Sequence, residues 1–428
     1  MIDETINEKK INLLFLAWGF SIHAKRRIEI FSKDPRYNVN IFSNFNYNFE
    51  NANNVTIRPA RLVLGKNIGN KTSTVGKKYF NFTIKLKIIT KKWFLIRYYK
   101  FLKEFLKELI NEYSDFNLLK KTISKNKPDI IFLQTLLFPC YLALFLNKKY
   151  PLIITFWNGD LIWQAKYNMI EEFFKERITN FGIKKAKAIT VNSKSAYDIC
   201  RSKGVDSNKL NYIIYPGVDT ELFRSIDKNK SRKLLNLKQD EKIILWPRGL
   251  GDYINSEIFI KACSLVIKKI NNLKIIILSS VGDSIELEKH KSMTEEMKIN
   301  QNFLFIGQVS FEKMPYYYNV ADVLVSLSSN DSLPNVMLEA MACGIPVLMS
   351  DIPQIREWIK DLYNGYLVNI TNKEEIAEKI MSVLLDKFNI NKIIVLRNYD
   401  LVDKNFSSKN NKELIKELVN KVYREKKV

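Results

Sequence analysis

Histidine is nearly missing: only His23 and His290 occur in 428 residues. The four cysteines (Cys140, Cys200, Cys263, Cys343) are scattered and form no C-x-x-C pair. Clustered ligands for zinc are therefore lacking, and the thiols suit a reducing, cytoplasmic setting. No D-x-D occurs, so nothing supports metal-bridged diphosphate binding, and neither a metal nor another cofactor is expected. Long apolar runs are absent but for "IIFLQTLLFPCYLALFL", residues 130 to 146. Pro139 divides that run, and Gln134 and Thr135 interrupt its first half, so it reads as a buried strand, a turn and a buried helix rather than a span. The first residues, "MIDETINEKK", start acidic and are followed by no small-residue cleavage site, so no signal peptide is expected.

Acid is also in short supply. Asp and Glu number 45 against 68 Lys and Arg, a net charge of +23. The excess peaks between Arg61 and Ile110, where only Glu104 and Glu108 oppose many bases. Within it, "KKYFNFTIKLKIITKKWFLIRYYKFLKEFLKELI" mixes Lys and Arg with Phe, Trp and Tyr. Such a mixture suits an anionic membrane surface, with bases on phosphate and aromatics in the interface. Nucleic acid would want the same residue types and is the weaker reading. Compositional drift toward Lys, Asn and Ile accounts for part of the charge.

With 46% hydrophobic and 26% charged residues, the chain has the composition of a globular protein, and its length predicts two domains of roughly 200 residues. Short β-rich runs ("INLLFLAWG", "YNVNIFSN", "DIIFLQ", "LIITFW", "AKAITVNS", "NYIIYPG") alternate with helical stretches such as "IHAKRRIEIFSKD" and "NMIEEFFKERITNFGIKKA". After the charged stretch "RSIDKNKSRKLLNLKQDEK", which suits an interdomain joint, the style repeats with "IILWPR", "KIIILSS", "FLFIGQ", "VLVSLSS" and "PVLMSD". The chain ends on the amphipathic "NNKELIKELVNKVYREKK". This alternation predicts an α/β protein of two doubly wound, Rossmann-like domains facing across a cleft, with ligands beyond the carboxyl ends of the strands.

The run "SSNDSLPNVMLEAMACGIPVLMSD", residues 328 to 351, places Asp331 and Glu339 around apolar residues. A helix is predicted to start near Leu333 or Pro334 and to end at Gly344. Its N-terminus, at Leu333, Pro334 and Asn335, would receive an anion. Glu339 then lies roughly 8 Å along the axis, about the span from a diphosphate to its ribose. Taken alone, Asp331 reads as an N-cap and Glu339 as an exposed helix acid.

From Asn330 to Val368 the sequence resembles the signature region of the family 4 glycosyltransferases, which have the GT-B fold. That family shows E-x7-E followed by "EAMA-x-G-x-P-V"; this chain has "EAMACGIPV", with Asp331 where the first Glu is usual. "IIYPGVDTELF", with Gly217, Val218 and Asp219, is similar to the passage leading into the family's interdomain linker. "ILWPRGLGDYINSEIFIKA" resembles the donor-diphosphate strand and loop. The resemblance makes Arg248, beside Gly249, the phosphate cation, and Tyr253 stands where a Lys is common. "FLFIGQVSFEKMPYYYNVADVLV" resembles the segment that holds the nucleotide base near Val309. "LAWGFSIHAKRR" resembles the first glycine loop, with Gly19 close to the donor and His23 heading the next helix. In "TFWNGDL" Trp157 replaces the family's usual His, with Asn158, Gly159 and Asp160 alongside.

The resemblance implies a retaining glycosyltransferase that moves a sugar from a nucleoside-diphosphate sugar to an acceptor hydroxyl, metal-independent and free of cofactors. Asp331 and Asp160 are the catalytic candidates. Arg248, Gly249, Glu339, Leu333, Pro334, Asn335, Val309 and Gly19 face the donor; His23, Trp157, Asn158 and Gly159 are acceptor-side or unassigned positions, with His23 equally open to a structural role at the helix end. Residues 1–222, joined by a returning helix at 409–428, form the acceptor domain, and 223–408 the donor domain. A lipid-linked or saccharide acceptor fits a cytoplasmic enzyme held peripherally on the inner face of a membrane, assembling surface polysaccharide or glycolipid. A non-catalytic sugar-nucleotide binder, an epimerase or a phosphorylase of the same fold, and a basic nucleic-acid-binding protein are the alternatives.

Overall fold

The computed structural model describes residues 10–17, 22–45, 49, 51–56, 112–137, 139–146, 149–157, 161, 169–214, 217–279, 284–331, 333–386 and 388–427. Two compact units emerge. The first comprises Met1–Thr190, Arg201–Asn211 and Leu418–Val428, and the second Val191–Cys200 and Tyr212–Glu417.

Among the described residues, unit 1 is built on a seven-stranded sheet. Its strands are β1 (Ile11–Ala17), β2 (Tyr37–Ser43), β3 (Ala52–Thr56), β4 (Ile130–Leu133), β5 (Leu152–Phe156), β6 (Ala188–Val191) and β7 (Leu210–Tyr212). Their order is β3-β2-β1-β4-β5-β6-β7. β1 runs parallel to both β2 and β4, so the chain winds outward in both directions from one central strand. Every residue of β4 and of β5 is buried, as expected of strands covered on both faces. The last helix, Ser408–Lys427, ends in unit 1, where Tyr37 Oη donates to Asn420 Oδ1 at 3.1 Å. The 130–146 run gives β4 and then a 3-10 helix, Cys140–Phe145, buried through Leu144, in place of a full α-helix. Among the described residues no helix is long and apolar enough to cross a membrane.

Among the described residues, unit 2 holds six strands: β8 (Lys242–Trp246), β9 (Leu273–Leu278), β10 (Phe303–Ile306), β11 (Val323–Ser326), β12 (Val347–Ser350) and β13 (Tyr366–Val368). They pair in the order β10-β9-β8-β11-β12-β13. Alternate side chains feed two separate cores. Ile244, Trp246, Ile275 and Val325 belong to one; Ile243, Leu245, Ile276 and Leu324 belong to the other. Period-two alternation sends neighbours to opposite faces, so two buried sets demand helices on both sides.

The charged stretch read as an interdomain joint is part of this unit. Asp227 caps a helix there, Lys228–Leu234, by accepting from Lys230 N at 2.7 Å. Arg232, only 4% exposed, donates to Val320 O and to Asp322 Oδ2, each at 3.2 Å. A buried guanidinium with a carboxylate and carbonyls around it is tolerable where an unpaired one is not. Gly217 has φ +70, and a Cβ there would strike the Phe406 carbonyl. That close approach lets Val218 exchange backbone bonds with the segment 406–408, at 2.8 and 2.9 Å, so the "GVD" turn requires its glycine.

Candidate functional site

β8 and β11 are neighbours in parallel register, so the residues just after each lie side by side at the carboxyl end of the sheet. After β8 the chain turns sharply. The Trp246 indole N–H donates to Gly249 O at 2.7 Å, and Gly249 N, at φ +73, donates to Leu278 O at 2.9 Å. Gly249 thus supplies the bend, with both backbone groups used inside the fold. Arg248 sits in this bend and meets Asp331 across the sheet end, Nη1 to Oδ2 at 2.8 Å, with side chains 16% and 14% exposed. Asp331 faces Arg248, and the N-cap position of the following helix falls to Pro334, whose side chain makes no capping bond.

The two loops are laced together. Ser329 N donates to Tyr253 O at 3.1 Å, and Tyr253 Oη donates to Asn330 O at 2.6 Å. Asn255 Nδ2 reaches Leu327 O at 2.5 Å and Ser329 Oγ at 2.9 Å. The Tyr253 phenol is pushed above its ordinary range by burial and by the Asp331 charge, while Arg248 opposes the shift. Where the resemblance expects a lysine, this chain has a neutral clasp between the loops bearing Arg248 and Asp331.

The helix runs Asn335–Ala342. Pro334 precedes it in extended geometry (φ −68, ψ 119), and its carbonyl accepts from Met337 N at 3.1 Å. Pro334 cannot donate, and its fixed φ presets the entry. Glu339, at the middle of an apolar helix, is 6% exposed and so is no surface acid. Its Oε2 accepts from Tyr318 Oη at 2.7 Å. Tyr318 lies on the helix Met314–Val320 and is fully buried against Phe223, ring edge to face at 5.8 Å. Burial and the Glu339 charge hold the Tyr318 phenol well above its ordinary range, and the Arg248 charge works against them. Burial first, then Glu339, likewise raises the Cys343 thiol. Arg248, Asp331, Tyr253, Tyr318 and Glu339 therefore form one electrostatic neighbourhood: one cation, two carboxylates and two phenols.

Leu333 and Pro334 are buried ahead of the helix and Asn335 is half-buried. Val309 is half-buried in the loop after β10, packed on the core of unit 2. Unit 1 holds the remaining candidates. His23 lies in the first turn of the helix Ile22–Ser32. The Trp157 indole N–H donates to Gln134 O at 2.6 Å, and Arg27 stacks 5.6 Å from its ring. Arg27 is 2% exposed and donates to Gln134 Oε1 at 3.3 Å and to Thr155 Oγ1. An indole has one donor and no acceptor, so Trp157, with that donor engaged, cannot perform the proton transfers open to a histidine. Gly19, Asn158, Gly159, Asp160 and the basic segment 61–110 lie outside the described residues.

Sequence reasoning missed Tyr318, Ser256 and the placement of His290. Ser256 Oγ lies 2.9 Å from His290 Nε2, although the two are far apart in the chain. For Tyr318 the only available signal was the tyrosine run "PYYY" ahead of a buried strand.

The pattern of the family described as "Glycosyl transferases group 1" matches residues 227–398, and that of "Glycosyltransferase Family 4" matches residues 93–222. An uncharacterized glycosyltransferase of Methanocaldococcus jannaschii is 28% identical over 47% of this chain and 51% of its own length. The chain spans about half the length of most of the curated relatives it matches. Among solved structures, sucrose-phosphate synthase from Thermosynechococcus elongatus superposes with a TM-score of 0.70 at 16% identity, over 97% of this chain and 100% of that one. Anabaena HepE in complex with UDP-glucose superposes with a TM-score of 0.67 at 15% identity, over 96% and 100%. These likenesses show the fold, two Rossmann-like domains of the GT-B kind.

Proposed function

Because this chain belongs to the family 4 glycosyltransferases, we propose that it is a retaining, metal-independent enzyme that moves a sugar from a nucleoside-diphosphate sugar to an acceptor hydroxyl. The observation that carries this reading is the Arg248–Asp331 pair beside the buried Glu339 carboxylate. A guanidinium offers a planar fork matched to phosphate oxygens. On donor binding Arg248 exchanges one Asp331 oxygen for the diphosphate. It then stabilises the negative charge that grows on the leaving group as the glycosidic bond breaks. Asp331, released from the guanidinium, accepts hydrogen bonds from hydroxyls of the transferred sugar. Glu339 keeps Tyr318 on one oxygen and offers its remaining acceptor capacity to the ribose hydroxyls. The uncharged Tyr253 leaves most of the diphosphate charge to Arg248 and to the N–H groups at the helix start near Asn335. Residues 223–408 act as the donor domain, and residues 1–222 with the returning helix as the acceptor domain, where Asp160 orients a reacting hydroxyl.

UDP-, GDP- and ADP-sugars should be tested in a thermal-shift panel, with hydrolysis of a labelled donor as the second measurement. One nucleotide class is expected to raise the melting temperature and its sugar to be released slowly. A shift without hydrolysis would point to a sugar-nucleotide binder, and no shift with any of the three would sink the donor reading.

The acceptor follows from charge. The bases and aromatics of residues 61–110 suit a cytoplasmic enzyme held at the inner face of a membrane, with a lipid-linked or saccharide acceptor of polysaccharide or glycolipid assembly. Anionic vesicles are expected to sediment the wild-type chain. The triple change Lys91→Ser, Lys92→Ser and Arg97→Ser is expected to leave most of it in solution, and equal sedimentation of both would refute the membrane role.

A further inference from the structure

The loop Gly249–Asn255 connects Arg248 to the helix Ser256–Ile267, and its backbone is costly. Gly249 and Gly251 have φ of +73 and +141, and Asn255, a residue with a side chain, has φ +56. Leu250 and Ile254 anchor the loop in the core of unit 2, but the turn at Gly251 between them is not packed. A Cβ at Gly251 would meet nothing within 4 Å, and Gly251, Asn255, Ser256 and His290 line an open cavity of about 540 Å³. A polar relay holds that turn.

For a neutral imidazole the Glu286 carbonyl sets the direction of the relay, and the Ser256 hydroxyl, which also lies 3.3 Å from Gly251 O, turns toward the ring. His290 Nδ1 lies 2.5 Å from the Glu286 carbonyl oxygen, which only accepts, so Nδ1 carries the proton. Nε2 is then the acceptor, and the Ser256 hydroxyl, 2.9 Å away, donates to it. Ser256 Oγ in turn accepts from Gly251 N at 2.9 Å. Ser256 and His290 are each 1% exposed, so the bond between them is buried and costly to leave unmade. The relay starts on the helix Ser284–Glu296 and ends on the loop's backbone. On its other flank the same loop is tied by Tyr253 and Asn255 to the segment carrying Asp331.

We propose that Ser256 and His290 are positioning residues for the diphosphate-binding end of the donor site: they hold the Gly249–Asn255 loop so that Arg248 stays in register with Asp331. Neither touches the donor. The inference rests on the donor reading above and adds two residues to it, one of them the buried histidine.

The test compares affinities for UDP, GDP and ADP with those for uridine, guanosine and adenosine by titration calorimetry, in wild type, Ser256→Ala, His290→Asn and His290→Gln. Asn keeps a donor for Glu286 but loses the acceptor facing Ser256; Gln places an amide oxygen near the lost Nε2. Ser256→Ala and His290→Asn are expected to weaken the preferred nucleoside diphosphate roughly tenfold, the worth of a buried hydrogen bond, with nucleoside affinity unchanged. His290→Gln should recover most of the loss. Equal loss for diphosphate and nucleoside, or no loss in either variant, overturns the positioning role. If Ser256→Ala fails to fold, the Asn and Gln pair decides. A wild-type chain that binds none of the three diphosphates overturns the donor reading and this inference together, whereas normal wild-type binding with insensitive variants overturns the inference alone.

Discussion

Glu339→Gln is expected to lower nucleotide affinity by about ten- to a hundredfold while leaving the fold almost untouched. Glutamine is isosteric, and its amide oxygen can still accept from Tyr318 Oη, the 2.7 Å bond that anchors the carboxylate. What is lost is the negative charge, and hydrogen bonds to a charged acceptor contribute about 1.5–3 kcal/mol each against roughly 1 for a neutral one. Glu339→Ala is the harsher change. It removes the acceptor from a fully buried phenol, adding about 1–3 kcal/mol of destabilisation, so its binding and stability effects are mixed. Tyr318→Phe separates them, since it frees the carboxylate without removing it. Calorimetry with UDP, GDP and ADP reads the binding term and thermal denaturation the stability term. Unchanged affinity for all three nucleotides in Glu339→Gln would remove Glu339 from the donor site.

What was legible in the sequence follows from how local each signal is. Central strands such as β4 and β8 are continuous apolar runs because both faces are covered, and they stood out. The edge strands β3, "ANNVT", and β13, "YLV", did not, since an edge strand pairs on one side only and needs little apolar sequence. The helices Lys373–Leu385 and Ile390–Leu401 were passed over for a related reason. The second leaves Ile393 and Leu396 exposed, at 50% and 61%, which blurs its apolar stripe. The stretch around Arg232 misled because charge normally means solvent, whereas this guanidinium is buried and satisfied from Asp322, far along the chain. In the site, Arg248, Asp331 and Glu339 were legible because they belong to compact motifs. That Asp331 pairs with Arg248, that Tyr318 covers Glu339 and that His290 supports Ser256 were not. Each joins two separate elements, and periodicity within one element carries no information about its partner in another.

Arg248→Ala is expected to reduce sugar transfer by about 10²–10³, the usual loss when one preorganised group facing developing charge is removed. It should also lower stability. Asp331, its side chain 14% exposed, loses its guanidinium partner, and breaking a largely buried pair costs about 3–5 kcal/mol at full burial. Both partners keep some contact with water, so a loss of about 1–3 kcal/mol fits this site better. The double variant Arg248→Ala with Asp331→Ala separates the two effects. Deleting both charges removes the stranded carboxylate, so most of the stability should return, while transfer stays as low as in Arg248→Ala or falls further. Asp331→Glu tests the same geometry from the other side. The longer arm of the residue usual at this position reaches past Arg248 toward the sugar, and transfer should hold or rise. Thermal denaturation and initial rates on wild type, Arg248→Ala, Asp331→Ala and the double variant complete the cycle. If Arg248→Ala transferred sugar at the wild-type rate, or if the double variant were no more stable than Arg248→Ala, the Arg248–Asp331 pair would not be the contact that exchanges with phosphate.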